Sequence, residues 1–404
     1  MKKQLFFIAM LAIIGLSANA QWQQTSLDSG RVNCFAVKGN NIFAGADLAS
    51  SGSGVFLSTN SGNSWTMVNN GLNSGYGVTT LVIKGDTIFA GTDGGGISFS
   101  SNNGNNWTST NFPDSIEVKD LAISGNKIFA AGDLGVYLST NDGSNWLKVN
   151  TGLPNDFYNA IIAKGDTIFV GSENNGVYMS SNYGSNWTTT GLTGTGAAVN
   201  AFAIGGNNIF VSIDWGGVYL SSNNGALWTA DTNGLPFGIG NYGFTALAAN
   251  NSDVFVGTAG SGTSSLGVLL STNNESNWFQ EGLTGINVWS LAIIGDTLFA
   301  GTSIQGGVWK RALSEMTSIK EINNNAGNIA VYPNPNNGIF QVSGFQYPAS
   351  SIEIYNVLGE KIYNSLITDN RSQITINIAN LPSGVYVVEV RTVNGIAVKK
   401  FVKE

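Results

Sequence analysis

Apolar and polar stretches alternate along this chain in units of roughly forty residues. Leu81-Val82-Ile83 runs into the polar turn Lys84-Gly85-Asp86-Thr87 and out again through Ile88-Phe89-Ala90-Gly91. Two short apolar runs joined by a polar glycine turn read as a β-hairpin. Second runs of this kind begin at Ile42, Ile88, Ile128, Ile168, Ile209, Val254 and Leu298, which makes seven units. Each unit continues into a third β-forming stretch, such as Gly135-Val136-Tyr137-Leu138, and six of these end in a polar box and a tryptophan. Ser58-Thr59-Asn60-Ser61-Gly62 leads to Trp65, and Ser139-Thr140-Asn141-Asp142-Gly143 leads to Trp146. The other tryptophans are Trp107, Trp187, Trp228 and Trp278, so the steps are 42, 39, 41, 41 and 50 residues. Four strands per unit and seven units predict an all-β chain folded as a seven-bladed β-propeller.

Each box has a local logic. Ser and Asn can bond the turn backbone through their side chains. Gly tolerates the positive φ of a tight turn. The tryptophan opens a fourth strand with a large apolar face, whose burial contributes roughly 4–6 kcal/mol before entropy costs. The seventh unit reaches Gly307-Val308-Trp309-Lys310 and has no box, while Trp22-Gln23-Gln24-Thr25-Ser26-Leu27 is an outer strand without a blade. The N-terminal strand is therefore expected to complete the last blade, which hides two sheet edges.

The pattern Ser-x-Asn-x-Gly-x-x-Trp resembles the Asp-box (BNR) repeat of sialidase-type β-propellers, with Asn in the usual Asp position. The resemblance implies a hairpin between the two outer strands of a blade, away from the ligand face. The sixth copy carries Glu275 where Gly is expected. The repeats are also similar to propellers that act as assembly factors for other proteins.

Composition narrows the chemistry. There is no histidine, which removes Ser-His-Asp catalysis and the commonest zinc ligand together. The one cysteine, Cys34, lies in the apolar strand Val32-Asn33-Cys34-Phe35 and reads as a buried small residue. A sialidase needs an arginine cluster for its substrate carboxylate. The propeller region offers only Arg31 and Arg311. From Gln21 to Thr317 there are 19 acidic and 9 basic residues, a net charge of −10. Such a surface is a poor match for phosphates, so nucleic acid is excluded as a partner.

Two loop sets should share the face opposite the boxes. There, Asp47, Asp93, Asp133, Glu173 and Asp214 follow the second strand in five units, with Ala259 and Ser303 in the other two. The carboxylates suit an acidic arc that binds Ca²⁺ or glycan hydroxyls, or else cap their own loops. No other cofactor is expected. Aromatic residues gather in the same loops: Tyr76, Phe157, Tyr158, Trp215, Phe237, Tyr242, Phe244 and Trp289. Exposed rings could stack on sugars or meet a protein, although Phe244 reads as core. The function expected is a non-catalytic glycan- or protein-binding module, with a carboxylate-pair glycoside hydrolase as the alternative.

The ends of the chain indicate a destination. Residues 1–20, with Lys2, Lys3, an apolar run and Ala18-Asn19-Ala20, read as a secretory signal peptide. The propeller is expected over 21–313, a polar linker over 314–328, and a second domain over 329–404. That domain reads as short strands in a small Ig-like β-sandwich. It is similar to the type A C-terminal sorting domain of cargo for the type IX (Por) secretion system of Bacteroidota. The resemblance rests on Val331-Tyr332-Pro333-Asn334-Pro335 with Gly338, on Ile354-Tyr355-Asn356-Val357-Leu358-Gly359, on Leu381-Pro382-Ser383-Gly384-Val385-Tyr386, and on the basic end Lys399-Lys400. It implies recognition by the outer-membrane translocon and a route through the periplasm to the outer-membrane surface or the medium. No transmembrane segment is expected, and a monomer is.

Overall fold

The computed structural model describes residues 21–404 except 48–52, 74, 114, 194–197, 215, 233–234, 236–241, 252, 262–263, 273–277, 304–305, 317–328, 345–348, 357–360, 367–372 and 393–394. The signal segment, Glu275, Trp215, Phe237, Gly359 and the side chain of Tyr242 lie outside the described residues. The chain divides into two compact units, Met1–Thr317 and Ser318–Glu404.

The first unit is a seven-bladed propeller. Its blades are four-stranded antiparallel sheets. Their inner strands, blades 1 to 7, are Arg31–Lys38, Val78–Lys84, Val118–Ser124, Tyr158–Lys164, Val199–Gly205, Tyr242–Ala249 and Val288–Ile294. Each inner strand contacts the next, and the seventh contacts the first, so the ring is closed. Closure uses the N-terminus as the repeat predicts. In blade 7 the outer strand is Gln23–Gln24, with Gln23 opposite Lys310 and Gln24 opposite Trp309.

The second strand of each blade is buried on both faces because neighbouring blades cover it. Its central phenylalanine, Phe43, Phe89, Phe129, Phe169, Phe210, Phe255 or Phe299, is inaccessible to solvent. Burying one such ring contributes about 1.5–3 kcal/mol. Two residues further on, glycine admits the next blade in blades 1, 2, 4, 6 and 7, with Ala131 and Ser212 in the other two. A Cβ at Gly91 would stand 2.6 Å from the Val118 side chain, and one at Gly257 would stand 2.7 Å from Val288.

The box turns are built by their own side chains. Ser139 Oγ accepts the Gly143 N–H at 2.9 Å, and Asn141 Oδ1 accepts the Asn145 N–H at 2.9 Å. Asp142 and Gly143 both adopt positive φ, 56° and 81°. The same bonds recur at Ser58, Ser100, Ser180 and Ser221. The tryptophan after each box reaches back to the preceding blade. Trp107 Nε1 donates to Val68 O, Trp187 to Val149 O, Trp228 to Thr190 Oγ1 and Trp278 to Asp231 O. Trp65 donates to Thr25 Oγ1 and Trp22 to Glu281 O, which carries the series across the ring closure. Trp146 is the exception. It is half-buried, packs edge-on against Phe112 at 5.3 Å, and its indole N–H has no partner.

The second unit has a three-stranded sheet (Ala330–Tyr332, Ile339–Ser343, Gln373–Asn377) and a four-stranded one (Lys361–Leu366, Ala349–Asn356, Gly384–Thr392, Gly395–Lys403). Phe340, Val342, Ile352, Ile354, Ile376, Val388 and Phe401 form its core, as in an Ig-like sandwich. The opening motif is joined to the chain's last residues. The Asn336 N–H donates to Val402 O at 3.0 Å, the Glu404 N–H to Asn336 O at 2.8 Å, and the Val402 N–H to Asn334 Oδ1 at 2.8 Å. Gly338 (φ 95°) lies where a Cβ would meet Ala379 Cα at 2.6 Å. Pro333 and Pro335 thus frame a turn packed on the C-terminal strand, where Lys400 is exposed and Lys399 half-buried. Gly384 begins the long strand that pairs with it.

Candidate functional site

The face opposite the boxes is assembled from two places in each blade. The first follows the second strand. Asp47 pairs with Arg31, the first residue of its inner strand. The backbone N–H groups of Asp93, Asp133, Glu173 and Asp214 donate to the carbonyls of Gly77, Glu117, Phe157 and Ala198 at 3.1, 3.4, 2.9 and 2.8 Å. These five acidic residues therefore occupy one structural position.

The second place is a β-bulge near the start of every inner strand. The strand register skips one residue between Val32 and Cys34, and at the corresponding points in all the other blades. The extra residues are Asn33, Thr79, Lys119, Asn159, Asn200, Thr245 and Trp289, and all seven line the central channel. Four of them tie one blade to the next. Asn33 Nδ2 donates to Val78 O at 2.9 Å, Asn200 Nδ2 donates to Phe244 O at 3.0 Å, and the hydroxyls of Thr79 and Thr245 donate to Val118 O and Val288 O. Between blades 7 and 1 the bond comes from the neighbouring Ser290, to Val32 O at 2.9 Å.

The two places meet in an open depression of about 510 Å³ at the channel mouth. Five carboxylates, Asp47, Asp93, Glu117, Glu173 and Asp214, and two cations, Arg31 and Lys119, line it. Asp133 shares the ring position but is not among the lining residues. Both cations are engaged. The Arg31 guanidinium lies 3.8 Å over the Trp289 ring, and Lys119 Nζ is 2.5 Å from Glu117 Oε1. Burial, then the charges of Asp47 and Glu117, push the Asp93 carboxyl above its ordinary range against a hydrogen bond from the Gly77 backbone. Burial and Glu117 likewise raise Asp133, with Lys119 opposing.

The loop-capping reading of the acids holds in part. Asp47 Oδ1 accepts from Ser53 Oγ at 3.0 Å. The fullest cap belongs to Asp156, which the repeat pattern does not single out. It accepts from the N–H groups of Phe157 and Asn174 and from the amides of Asn174 and Asn175. Burial works to raise its pKa, and these bonds outweigh it, so the group titrates below its ordinary value.

The aromatic expectations divide. Tyr76 and Phe157 are exposed on this face, and Trp289 is half-buried beneath Arg31. Phe244 is core, as expected. Tyr158 is a correction. Its side chain is fully buried and its hydroxyl donates to Pro154 O at 2.7 Å, so it is no ligand contact. It stands one residue before the bulge, at the position held by valine in blades 1, 2, 3, 5 and 7, and so points into the blade. Cys34 is half-buried beside Gly45, and burial pushes its thiol pKa up.

Arg31, Glu117, Lys119, Asn159 and Asn200 escape the sequence reading. For Lys119, Asn159 and Asn200 the signal is present, since each bulge residue comes one after the valine, tyrosine or phenylalanine near the start of an inner strand. Arg311 is remote from the mouth. It pairs with Glu281 at 2.9 Å, both side chains buried, where blade 6 meets blade 7. One arginine at the mouth cannot supply the cluster a sialidase needs. Among the described residues no three His, Cys, Asp or Glu side chains converge to hold a metal ion, and no helix is long and apolar enough to cross a membrane.

Comparison with known proteins agrees with this architecture. The model of the secretion system C-terminal sorting domain matches residues 330–404. That of the DUF6242 beta propeller domain matches residues 19–159 and again 124–293. No curated protein sequence matches the chain. Among solved structures, PorZ of the type-IX secretion system of Porphyromonas gingivalis is similar at 17% identity and a TM-score of 0.56, over 93% of this chain and 59% of PorZ. YCF48 bound to D1 peptide is similar at 15% identity and a TM-score of 0.57, over 76% of this chain and 99% of that one. YCF48 from Cyanidioschyzon merolae gives 16% and 0.55, over 72% and 98%. At such identities the likeness establishes the fold, and the chain spans little more than half the length of PorZ. The closed ring, the matched propeller model and the matched tail lead to one conclusion: the chain belongs to the DUF6242 β-propeller family and ends in a type IX secretion sorting domain.

Proposed function

We propose that this protein is an exported, non-catalytic binding module whose propeller mouth holds a glycan or protein ligand. The sorting domain indicates export to the cell surface or the extracellular space and an interaction with the secretion machinery. The observation that carries the binding reading is the depression of about 510 Å³ in which four of the repeated carboxylates meet Arg31, Lys119 and Trp289. Concave sites lined by a few fixed polar groups are where ligands bind in most folds. The carboxylates are spread around the mouth, so ligand binding is expected to be independent of Ca²⁺.

The test uses the full mature chain. Binding to panels of polysaccharides and peptides is measured by calorimetry, with and without chelator, alongside release of reducing sugar. Saturable binding weakened by combined Glu173→Gln and Asp214→Asn, with no sugar released, is the expected result. Sugar release abolished by one carboxylate substitution would replace this reading with a glycoside hydrolase. Export has its own test. A chain ending at residue 328 should accumulate in the periplasm, and its normal appearance outside the cell would remove the sorting role from the tail.

A further inference from the structure

Among the described residues, three large apolar side chains of the mouth face are exposed. Tyr76, Leu134 and Phe157 are 39%, 51% and 46% exposed, and they belong to blades 2, 3 and 4, three consecutive blades. Each stands beside one of the repeated acids. Tyr76 packs on the glycines that follow Asp93, since Cβ atoms at Gly94 and Gly95 would come within 2.8 and 2.7 Å of its ring. Leu134 follows Asp133 in the chain. The Phe157 carbonyl accepts the Glu173 N–H at 2.9 Å. The pattern is an apolar group next to a carboxylate, three times over.

The strip is also held in place. The Leu134 carbonyl accepts from Asn150 Nδ2 at 3.2 Å, and the Phe157 N–H donates to Asp156 at 2.9 Å. A backbone held in place before binding loses less entropy when a partner arrives. Exposed apolar groups that pack no core, set among like charges, mark an interaction surface.

We infer that blades 2 to 4 form a docking strip for a peptide segment in which basic side chains sit next to apolar ones. The proposal rests on the binding-module reading and names its ligand class. The acids select the sign of the partner: three adjacent carboxylates, within a propeller region of net charge −10, repel a polyanion and attract Lys or Arg. The apolar members favour peptide over sugar. Sugars stack on open aromatic faces, but the face of Trp289 is covered by Arg31, one face of Tyr76 lies on glycine and Leu134 has no ring, which leaves Phe157 as the strip's remaining ring.

The experiment follows a fluorescent twelve-residue peptide in which Lys and Phe recur between Gly and Ser. A counterpart carries Glu for Lys, and cellohexaose is the sugar probe. Full mature protein is titrated at low and high salt and read by anisotropy for the peptides and calorimetry for the sugar. The basic peptide should bind at least about tenfold more tightly than the acidic one. Leu134→Ser with Phe157→Ser should weaken it about tenfold at both salt levels. Asp93→Asn with Glu173→Gln should weaken it at low salt and flatten the salt dependence. Leu227→Ser and Asp86→Asn, exposed changes away from this face, should stay within about twofold, and circular dichroism checks that every variant is folded. Equal binding of both peptides, no binding of the basic one, or an unaffected Leu134/Phe157 variant would overturn the strip. Binding of cellohexaose alone would also overturn it while leaving the binding-module reading intact.

Discussion

The two faces of the propeller draw on the same polar residues and use them in opposite ways. On the box face, charge and amide groups are spent on the protein's own backbone. Lys38 Nζ reaches Asp86 O at 2.9 Å in the next blade, and Lys164 Nζ reaches Asn207 O at 2.5 Å in the blade after its own. Lys310 does the same across the ring closure, bonding Ser61 O at 3.0 Å. On the mouth face, the carboxylates at one repeated position line an open depression, and the two cations there are held among them. A polar group bound to backbone stabilises; one that faces open space keeps its interaction capacity for a ligand. Repetition alone does not separate these outcomes, because both the Ser-Asn-Gly boxes and the acidic positions recur blade after blade.

This contrast predicts that substitutions on the box side and in the blade contacts change stability, while those at the mouth change binding. The largest effect should come from deleting Trp22 to Leu27, which opens the ring and exposes a sheet edge on blade 7. Aggregation and loss of a single cooperative melt are expected; a monomer of unchanged melting temperature would contradict closure by this strand. Next, Trp187→Ala should cost about 3–5 kcal/mol in denaturant unfolding, because its ring is buried and its indole is bonded. Trp146→Ala should cost clearly less, since that ring is half-buried and its N–H is unpartnered. Equal costs would mean that the bond to the preceding blade contributes nothing.

Ser180→Ala removes the acceptor of the Gly184 N–H inside a box and should cost about 1–2 kcal/mol. Asp120 gives a pH test within the channel wall. Its carboxylate accepts from Thr80, Leu121 and Ile161 across three blades, and burial nonetheless raises its pKa to about 6. A carboxyl that is more basic folded than unfolded gains stability as pH falls from about 6 towards its unfolded value near 4. Relative to Asp120→Asn, the parent should therefore become more stable over that window, as read by melting temperature; a difference that does not vary with pH would contradict it. The smallest effect should belong to Glu173→Gln, within about 0.5 kcal/mol. A larger loss would turn that carboxylate into a structural cap like Asp156.

Much of this was legible in the chain. The blade count, the box turns and the closing role of Trp22 to Leu27 rest on local signals: apolar runs, glycine turns and a fixed spacing. The five acidic positions could be aligned for the same reason. What one sequence could not give is the direction of side chains near the inner-strand bulges. Alternation assigns faces only while two residues make one repeat, and an extra residue shifts every neighbour's parity. Tyr158 therefore reads as a loop aromatic and is core, while Asn33 reads as part of an apolar strand and lines the channel with Lys119 and Asn159.

Local chemistry determined the repeat, its turns and the all-β architecture, because turn preference and strand propensity act within a few residues. It also carried the sorting motifs, which are short and contiguous. Tertiary structure alone decided that Arg31 of blade 1 would cover Trp289 of blade 7, that Arg311 would be buried against Glu281, and that Asn336 would pair beside Lys403 at the far end of the tail. These partners are distant in sequence, 258 residues apart in the first case. Arg31 meets Trp289 because the ring closes, Asn336 meets Lys403 because the sandwich folds, and Arg311 meets Glu281 because adjacent blades pack, constraints that no local pattern encodes.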